Sequence, residues 1–203
     1  ETRDSNGISV REALTEIEYA GDRSCGNRPI HTYLEAHIEQ GPILEQENTT
    51  IGAVLGIQGI RWFDIVVEGK EAHAGPTPMP TRGDALVSAA DLIIEIENIA
   101  LRHSPDGRTT VGTMDVFPNS RNVIPGRITL GIDMRHPEED VLSTMATELR
   151  SIFQAMCKRR GTTGNVNEIW YSPPTLFDAE TVSTVEEMAQ MRQFSCRRIT
   201  SGA

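Results

Sequence analysis

Between residues 60 and 171 the hydrophobic residues of this chain follow two spacings in a fixed order, and this pattern limits the fold more than any other feature. In some segments apolar residues alternate with polar ones, which is typical of a strand, and in two they recur three and four residues apart, which is typical of a helix. The predicted elements are, in order, strand, helix, strand, strand, helix and strand: Ile60–Glu68, Arg82–His103, Thr109–Phe117, Arg127–Arg135, a helix opened by Pro137, and Asn165–Tyr171.

A β-α-β-β-α-β series predicts a ferredoxin-like domain, in which two helices cover one face of an antiparallel sheet. The predicted fold class is therefore α+β, with this domain over residues 58–170. The flanking residues 1–57 and 171–203 are too short to fold separately. We expect the flanks to be two parts of one incomplete domain that the ferredoxin-like domain interrupts.

The flanks carry weaker signals of secondary structure. Ser9 and Glu12 have the spacing of a capping box and predict the start of a helix. A short strand-like run is predicted over Tyr33–Pro42, where Gly-Pro ends it. A last helix is predicted over about residues 180–193.

Charge and hydropathy exclude several classes of partner. The 203 residues include 19 basic and 29 acidic side chains, so the formal net charge is −10. This charge disfavours binding to nucleic acid or to an anionic membrane surface. There is no apolar run of the ~20 residues that a membrane span needs, and the polar start at Glu1 does not predict a signal peptide.

The three cysteines, Cys25, Cys157 and Cys196, are odd in number and lack CxxC spacing. They predict neither a disulfide framework nor a cysteine zinc site. Free thiols in a reducing compartment are the simplest interpretation, so we expect the protein to be cytoplasmic.

Two histidines lie in segments where they could bind a metal or stabilise a developing negative charge. His37, with Gln40 beside it, precedes a Gly-Pro turn; a neutral imidazole there can bind a transition metal, and a carboxamide can hold a polar substrate. His73 lies in a loop stiffened by Gly75, Pro76 and Pro78, where it can donate to a developing oxyanion. From the residues alone, a satisfied or surface histidine remains the alternative at both positions.

Polar residues in the next loop and at a strand end suit recognition of a carboxylate or carbonyl. Asn119, Arg121 and Asn122 cluster in a Pro-rich loop, where ordinary turn chemistry is the alternative. Arg135 ends an alternating strand, and its guanidinium can clamp a carboxylate with two hydrogen bonds. A solvated arginine is the alternative at that position.

Taken together, four segments in this order resemble a known family. They are Glu35–Pro42, His73–Met79, Asn119–Gly126 and Asp133–Pro137. The pattern resembles the metal-dependent amidohydrolases of the N-carbamoyl-L-amino-acid hydrolase, β-ureidopropionase and allantoate amidohydrolase group, within the M20 peptidase-like superfamily. The resemblance covers nearly the whole chain.

The resemblance implies a catalytic α/β domain that binds two divalent metal ions, usually zinc or manganese, interrupted by a smaller lid domain that forms a homodimer. His37 matches a metal ligand and Gln40 a residue that contacts substrate. His73 matches the lid histidine that stabilises the oxyanion, typically in the partner subunit's site. Asn122 and Arg135 match lid residues that bind the substrate's amide and carboxylate. The implied reaction is hydrolysis of a carbamoyl amide by metal-activated water, releasing carbon dioxide, ammonia and a free amino acid.

The chain also departs from the family pattern. It has no H-x-D segment, no Glu-Glu pair in the family's context, and no Gly-His-Asp after Ser201-Gly202-Ala203. We therefore expect a fragment or a degenerate homologue that has at most one metal ligand and is inactive alone. An allantoate amidohydrolase, a related M20 aminopeptidase or deacylase, and a non-catalytic module that dimerises through its sheet remain alternatives.

Overall fold

A computed structural model of the chain describes residues 2–23, 26 and 28–202. Its contacts divide the chain into two compact units, Glu1–Ile38 and Glu39–Ala203. The elements, in chain order, are α1 (Val10–Glu16), α2 (Ile43–Gln46), β1 (Ile51–Ile57), β2 (Gly59–Glu68), β3 (Ala72–His73), α3 (Ala85–Arg102), β4 (Arg108–Phe117), β5 (Val123–Ile124), β6 (Arg127–His136), α4 (Glu139–Arg160), β7 (Thr163–Ser172), β8 (Thr175–Leu176), α5 (Ala179–Met191) and β9 (Cys196–Ser201). A 3₁₀ turn, Met79–Thr81, lies between β3 and α3.

The first unit contains α1, which begins at the predicted capping box. The Ser9 hydroxyl accepts from the Glu12 amide at 3.2 Å, and the Glu12 carboxylate accepts from the Ser9 amide at 2.7 Å. The predicted strand at Tyr33–Pro42 is wrong, because the structure assigns no strand to these residues. A strand needs a neighbouring ladder for its backbone groups, and none of the described strands pairs with this segment.

Four strands form the main sheet, in the order β4-β6-β2-β7. Each neighbouring pair is antiparallel. Helices α3 and α4 pack on one face, where the alternate residues of β6 are all buried: Ile128, Leu130, Ile132 and Met134. The mixed helix-and-sheet architecture expected from the sequence is confirmed.

The helices that cover this sheet begin slightly later than predicted. Helix α3 starts at Ala85 rather than at Arg82, because the Asp84 carboxylate accepts from the amides of Leu86 and Val87. Helix α4 starts at Glu139, two residues after Pro137. It ends at Gly161, as predicted, where the backbone turns left-handed with φ of 66°.

A second sheet of three strands, β8-β1-β9, lies beside the first in the same unit. Strand β1 pairs parallel with β9 and antiparallel with β8, and α5 packs against β1 and β9. The sequence pattern did not predict β1 or β9. Only Gln58 separates β1 from β2, and only Pro173 and Pro174 separate β7 from β8.

These connections give the four-stranded sheet two distinct ends. We call the end that holds Gly59, His136 and Ser172 the joined end, because there the chain passes to the second sheet. The opposite end, which holds Glu68, Arg127 and Thr163, is the free end.

Two of the three cysteines lie within the described residues. Cys157 is a buried free thiol and Cys196 a partly buried one, whereas Cys25 lies outside the described residues. Burial raises the pKa of the Cys157 thiol, and a hydrogen bond with Thr162 offsets part of that rise. Over the part of the chain that the structure describes, no helix has both the length and the apolar character to cross a membrane.

Candidate functional site

The structure brings His73 and Asn122 together at the free end of the main sheet. Strands β3 and β5 form a short antiparallel pair in which His73 lies opposite Val123. The Ala74 amide donates to the carbonyl of Asn122 at 2.8 Å. Both side chains are exposed, and the Asn122 side-chain oxygen accepts from the Ser120 hydroxyl at 2.8 Å.

The ring of His73 is held by its own loop. The Gly75 amide donates to His73 Nδ1 at 3.1 Å, and the Thr77 hydroxyl donates to the His73 carbonyl at 2.7 Å. Because Nδ1 accepts this bond, the proton of the neutral imidazole lies on Nε2. His73 therefore presents an Nε2–H donor to solvent, as a histidine that stabilises an oxyanion must.

Arg82 supports this loop, a role that the sequence pattern did not identify. Its Nη2 donates to the carbonyls of Ala74 at 2.6 Å and Thr77 at 3.0 Å, and its Nε also donates to Thr77 at 3.1 Å. A carbonyl held by a guanidinium is a charge-assisted acceptor, which makes this clamp stronger than a neutral turn bond. The side chain thus fixes the segment that carries His73.

Arg135 lies at the joined end, on the face of the sheet that the helices leave uncovered. Its Nε and Nη2 donate to the two carboxylate oxygens of Asp133, both at 2.7 Å. Its Nη1 donates to the carbonyl of Gly202, just after β9. The indole Nε1 of Trp62, from the neighbouring strand β2, donates to Asp133 at 2.9 Å.

These bonds keep the Asp133–Arg135 pair ionised. Burial would raise the pKa of Asp133, but hydrogen bonds from Arg135 and Trp62 outweigh that effect and hold it below its ordinary value. The hydrogen bond to Asp133 in turn raises the pKa of Arg135 against a smaller opposing effect of burial. Trp170 packs against Trp62 with ring centroids 4.7 Å apart, which completes a cluster that the sequence did not reveal.

The structure does not bring Arg135 near His73 and Asn122 within one chain. Arg127 and Arg135 lie at opposite ends of β6, and a strand rises about 3.3 Å per residue, so they are roughly 26 Å apart. His73 and Asn122 lie at the Arg127 end, in the segments that follow β2 and precede β6. One amino-acid-sized molecule cannot touch both ends at once.

The remaining predicted site residues, His37 and Gln40, are both exposed and belong to different units. His37 Nδ1 donates to the carbonyl of Ile38 at 2.6 Å, which leaves the Nε2 lone pair available to a metal. Gln40 has a left-handed backbone with φ of 54°. Among the described residues, no group of three or more His, Cys, Asp or Glu side chains could hold a metal ion, so they do not form a metal site by themselves.

Comparison with known proteins identifies the central part of the chain. A peptidase dimerisation domain of the M20 type matches residues 55–160, just over half of the 203 residues. This range begins in β1 and ends at the last residue of α4, so it contains most of the four-stranded sheet and both of its helices.

Two named relatives resemble nearly the whole chain. An N-carbamoyl-L-amino-acid amidohydrolase from Rhizobium meliloti is 36% identical over 201 residues, which cover 99% of this chain and 48% of that protein. An allantoate amidohydrolase from Bacillus subtilis is 31% identical over 205 residues, which cover 100% of this chain and 50% of that protein. The chain thus spans about half the length of the relatives it matches.

A solved structure of a similar protein also matches nearly the whole chain. An amidase of the hydantoinase/carbamoylase family from Burkholderia multivorans superposes with a TM-score of 0.91 at 47% identity, over 98% of this chain and 49% of that one. The likeness therefore includes the first unit and the second sheet as well as the matched domain. On these grounds the chain belongs to the M20 peptidase dimerisation domain family, among relatives that are carbamoylase-type and allantoate amidohydrolases.

Proposed function

We propose that this chain is part of a metal-dependent hydrolase of N-carbamoyl-L-amino acids or related ureido acids, which cleaves linear amide C–N bonds. In this proposal residues 58–170 are a ferredoxin-like lid, and residues 1–57 and 171–203 are parts of the catalytic α/β domain that it interrupts. The observation that carries the proposal is the guanidinium of Arg135, which is held on an uncovered sheet face beside Gly202. A fixed arginine there suits a substrate with an α-carboxylate.

The other predicted residues have matching roles. Arg135 binds the carboxylate, Gln40 and Asn122 contact the ureido amide, and His73 Nε2–H stabilises the negative charge that develops on the carbamoyl oxygen. The distance of roughly 26 Å between the ends of β6 supports a shared site, in which His73 and Asn122 act in the partner subunit's site. Arg135 would serve the site of its own subunit.

The metal centre of the proposed enzyme lies largely outside this chain. We assign His37 as one ligand of two divalent ions, zinc or manganese, because its Nδ1–H is engaged by Ile38 and its Nε2 is available. Bound metals would supply Lewis acidity and lower the pKa of water. The chain alone lacks the rest of the ligand set among its described residues, so we expect no activity from it in isolation.

One face of the α3–β4 region supports the proposal that the chain forms a homodimer through the lid. Helix α3 exposes three apolar side chains seven residues apart: Val87 at 42%, Ile94 at 60% and Leu101 at 64%. Side chains at this spacing lie on one stripe, and the adjacent β4 is an edge strand with unpaired backbone groups. A second copy placed against both features would cover the stripe and extend the sheet.

Two alternatives keep specific support. The Bacillus subtilis relative favours allantoate as the substrate, and allantoate also carries a carboxylate for Arg135. The exposed α3 stripe alone would suit a non-catalytic dimerisation module. Residence in the cytoplasm, with no nucleic-acid or membrane partner, remains part of the proposal on the grounds of charge and free thiols.

The direct test is release of ammonia. The full-length gene product, supplied with Mn²⁺ or Zn²⁺, should release ammonia from an N-carbamoyl-L-amino acid, and allantoate and ureidopropionate should be assayed in parallel. The metal-stripped protein is the matched control. Failure to release ammonia from all three substrates would contradict the enzyme proposal, and preference for allantoate would select the first alternative.

A further inference from the structure

We propose that Asp133 and Trp62 are positioning residues for Arg135. They orient its guanidinium toward the substrate carboxylate without touching the substrate themselves. This inference rests on the proposed function, since it assumes that Arg135 binds a carboxylate, and it gives roles to two residues that the sequence analysis did not propose as site residues.

The hydrogen bonds divide the donors of Arg135 into two groups. A guanidinium carries five N–H donors in one plane. The edge formed by Nε and Nη2 is taken by both oxygens of Asp133 at 2.7 Å, and Nη1 also reaches Gly202. Of the five donors, two have no acceptor among the described residues, and both are Nη hydrogens. Because the guanidinium is planar, fixing its Nε edge also fixes the direction in which those hydrogens point.

The pairing contributes more to orientation than to the stability of the fold. Asp133 and Arg135 lie two residues apart on β6, so their ion pair connects no separate elements. What this pair does change is the freedom of a long side chain, and it does so with bidentate geometry at side-chain exposures of only 24% and 29%.

Trp62 holds the carboxylate in its turn. Its Nε1 donates to Oδ2, the same oxygen that accepts from Nη2 of Arg135. Trp62 faces Asp133 across the β2–β6 ladder, and its ring packs against Trp170 at 4.7 Å. An indole that is fixed on one side by a second ring restrains Asp133, which in turn restrains Arg135.

The test is a double-mutant cycle in the full-length, metal-loaded enzyme. Asp133→Asn replaces one accepting oxygen with an amide that donates, so the fork on Arg135 breaks. We expect kcat/KM on an N-carbamoyl-L-amino acid to fall about 10- to 100-fold, mainly through KM. When Arg135 is already Ala, the same change should cost less than about twofold, because nothing remains to be positioned.

Two further variants complete the design. Asp64→Asn is the matched control, because Asp64 lies two residues from Trp62 on the same strand, and it should leave kcat/KM unchanged. Trp62→Phe keeps the ring and removes the donor; we expect a loss of roughly three- to tenfold, again only when Arg135 is present. If Asp133→Asn does not fold, the comparison of Trp62→Phe with and without Arg135 tests the inference: its loss of kcat/KM should disappear when Arg135 is Ala.

The outcomes separate the two proposals. Equal losses with and without Arg135 would mean that Asp133 only supports the fold, and no loss in either background would mean that it has no role; each result overturns the inference alone. If the full-length wild-type enzyme hydrolyses no ureido acid, the proposed function is wrong, and this inference is wrong with it.

Discussion

The amide of Gly75 donates to Nδ1 of His73 across 3.1 Å, and this one contact sets the proton of the imidazole on Nε2. The loop therefore decides both the direction and the chemical character of the ring. A β-carbon on Gly75 would lie 3.3 Å from Cε1 and 3.4 Å from Nδ1 of His73, which is tight enough to displace the ring by a few tenths of an ångström.

In the proposed enzyme, Gly75→Ala should therefore impair catalysis without unfolding the domain of residues 58–170. We expect kcat of the full-length enzyme to fall about three- to tenfold with little change in KM, because a misplaced donor weakens stabilisation of the transition state more than substrate binding. Steady-state kinetics measure the effect. Gly21→Ala is the control, since no atom lies within 4 Å of its added carbon, and an equal loss in both variants would contradict the explanation.

Mixing two variants that each retain very little activity should restore activity if the site is shared between subunits. In a heterodimer of His73→Ala and Arg135→Ala, one site combines the intact Arg135 of one chain with the intact His73 of the other. Random exchange makes half of the dimers mixed, each with one intact site, so about a quarter of the wild-type activity should return. Ammonia release after subunit exchange measures it. If both residues act within one chain, the mixture is no more active than the two separate variants.

A charge on the α3 stripe should separate the dimer. Ile94 is 60% exposed and lies between Val87 and Leu101, so Ile94→Glu places a carboxylate at the centre of the proposed interface. Sedimentation at micromolar concentration should show a monomer. Ile169→Glu is the matched control on the opposite edge strand, β7, where the exposure is 55%. A monomer with this second variant and a dimer with the first would reverse the assignment of edges.

The ionised carboxylate of Glu139 should stabilise the folded state, and this stabilisation should be lost at low pH, where the carboxylate is protonated. Burial would raise its pKa, but the nearby Tyr171 hydroxyl and the hydrogen bonds that Arg61 and Ser143 donate to Oε1 outweigh burial and hold it below its ordinary value. An acid with a depressed pKa stabilises the folded state above its unfolded pKa and loses that contribution as the pH falls through the folded one.

Glu139→Gln should accordingly lower the free energy of unfolding at pH 7 by about 1 kcal/mol, since part of the side chain is exposed. The difference from the unchanged protein should shrink below pH 4.5. Urea unfolding at pH 7 and at lower pH measures it, with Glu138→Gln as the neighbouring control. A difference that does not depend on pH would contradict the ionic explanation.

The alternating strands were the most predictable part of the fold. Every second residue of β6 from Ile128 to Met134 is apolar, and all four are buried against the helices. Period-two alternation carries this information because one face of such a sheet is dry and the other is not. The start of α1 at the Ser9 capping box and the end of α4 at Gly161 were also predictable, because each depends only on a few neighbouring residues.

Strands β1 and β9 escaped prediction because their signals depend on their neighbours. Gly56 in β1 lies so close to β8 that an added β-carbon would stand 2.3 Å from the Thr175 carbonyl, so a small residue marks close backbone approach and not a turn. Strand β9 carries Arg197 and Arg198, whose charges hide its strand character. The opposite error occurred at Tyr33–Pro42, where a strand was predicted but none is present, because strand-like residues form no strand without a partner strand.

The sequence nominates the residues of the candidate site but not their arrangement in space. The order of the motifs places Asn122 only 13 positions before Arg135. Most of that separation is one straight strand, which carries the two residues toward opposite ends of the sheet. The link between Asp133 and Trp62 depends on the β2–β6 register, which no single-strand pattern contains.

The two connections at the joined end restrict how the sheets can move. Gln58 carries the chain one way and Pro173–Pro174 carries it back, and the crossings touch, since a β-carbon on Gly59 would stand 2.7 Å from the Pro174 ring. A single tether would let the two sheets swivel about it. Two short connections side by side favour rotation of one sheet relative to the other about a single axis and resist twisting between the sheets.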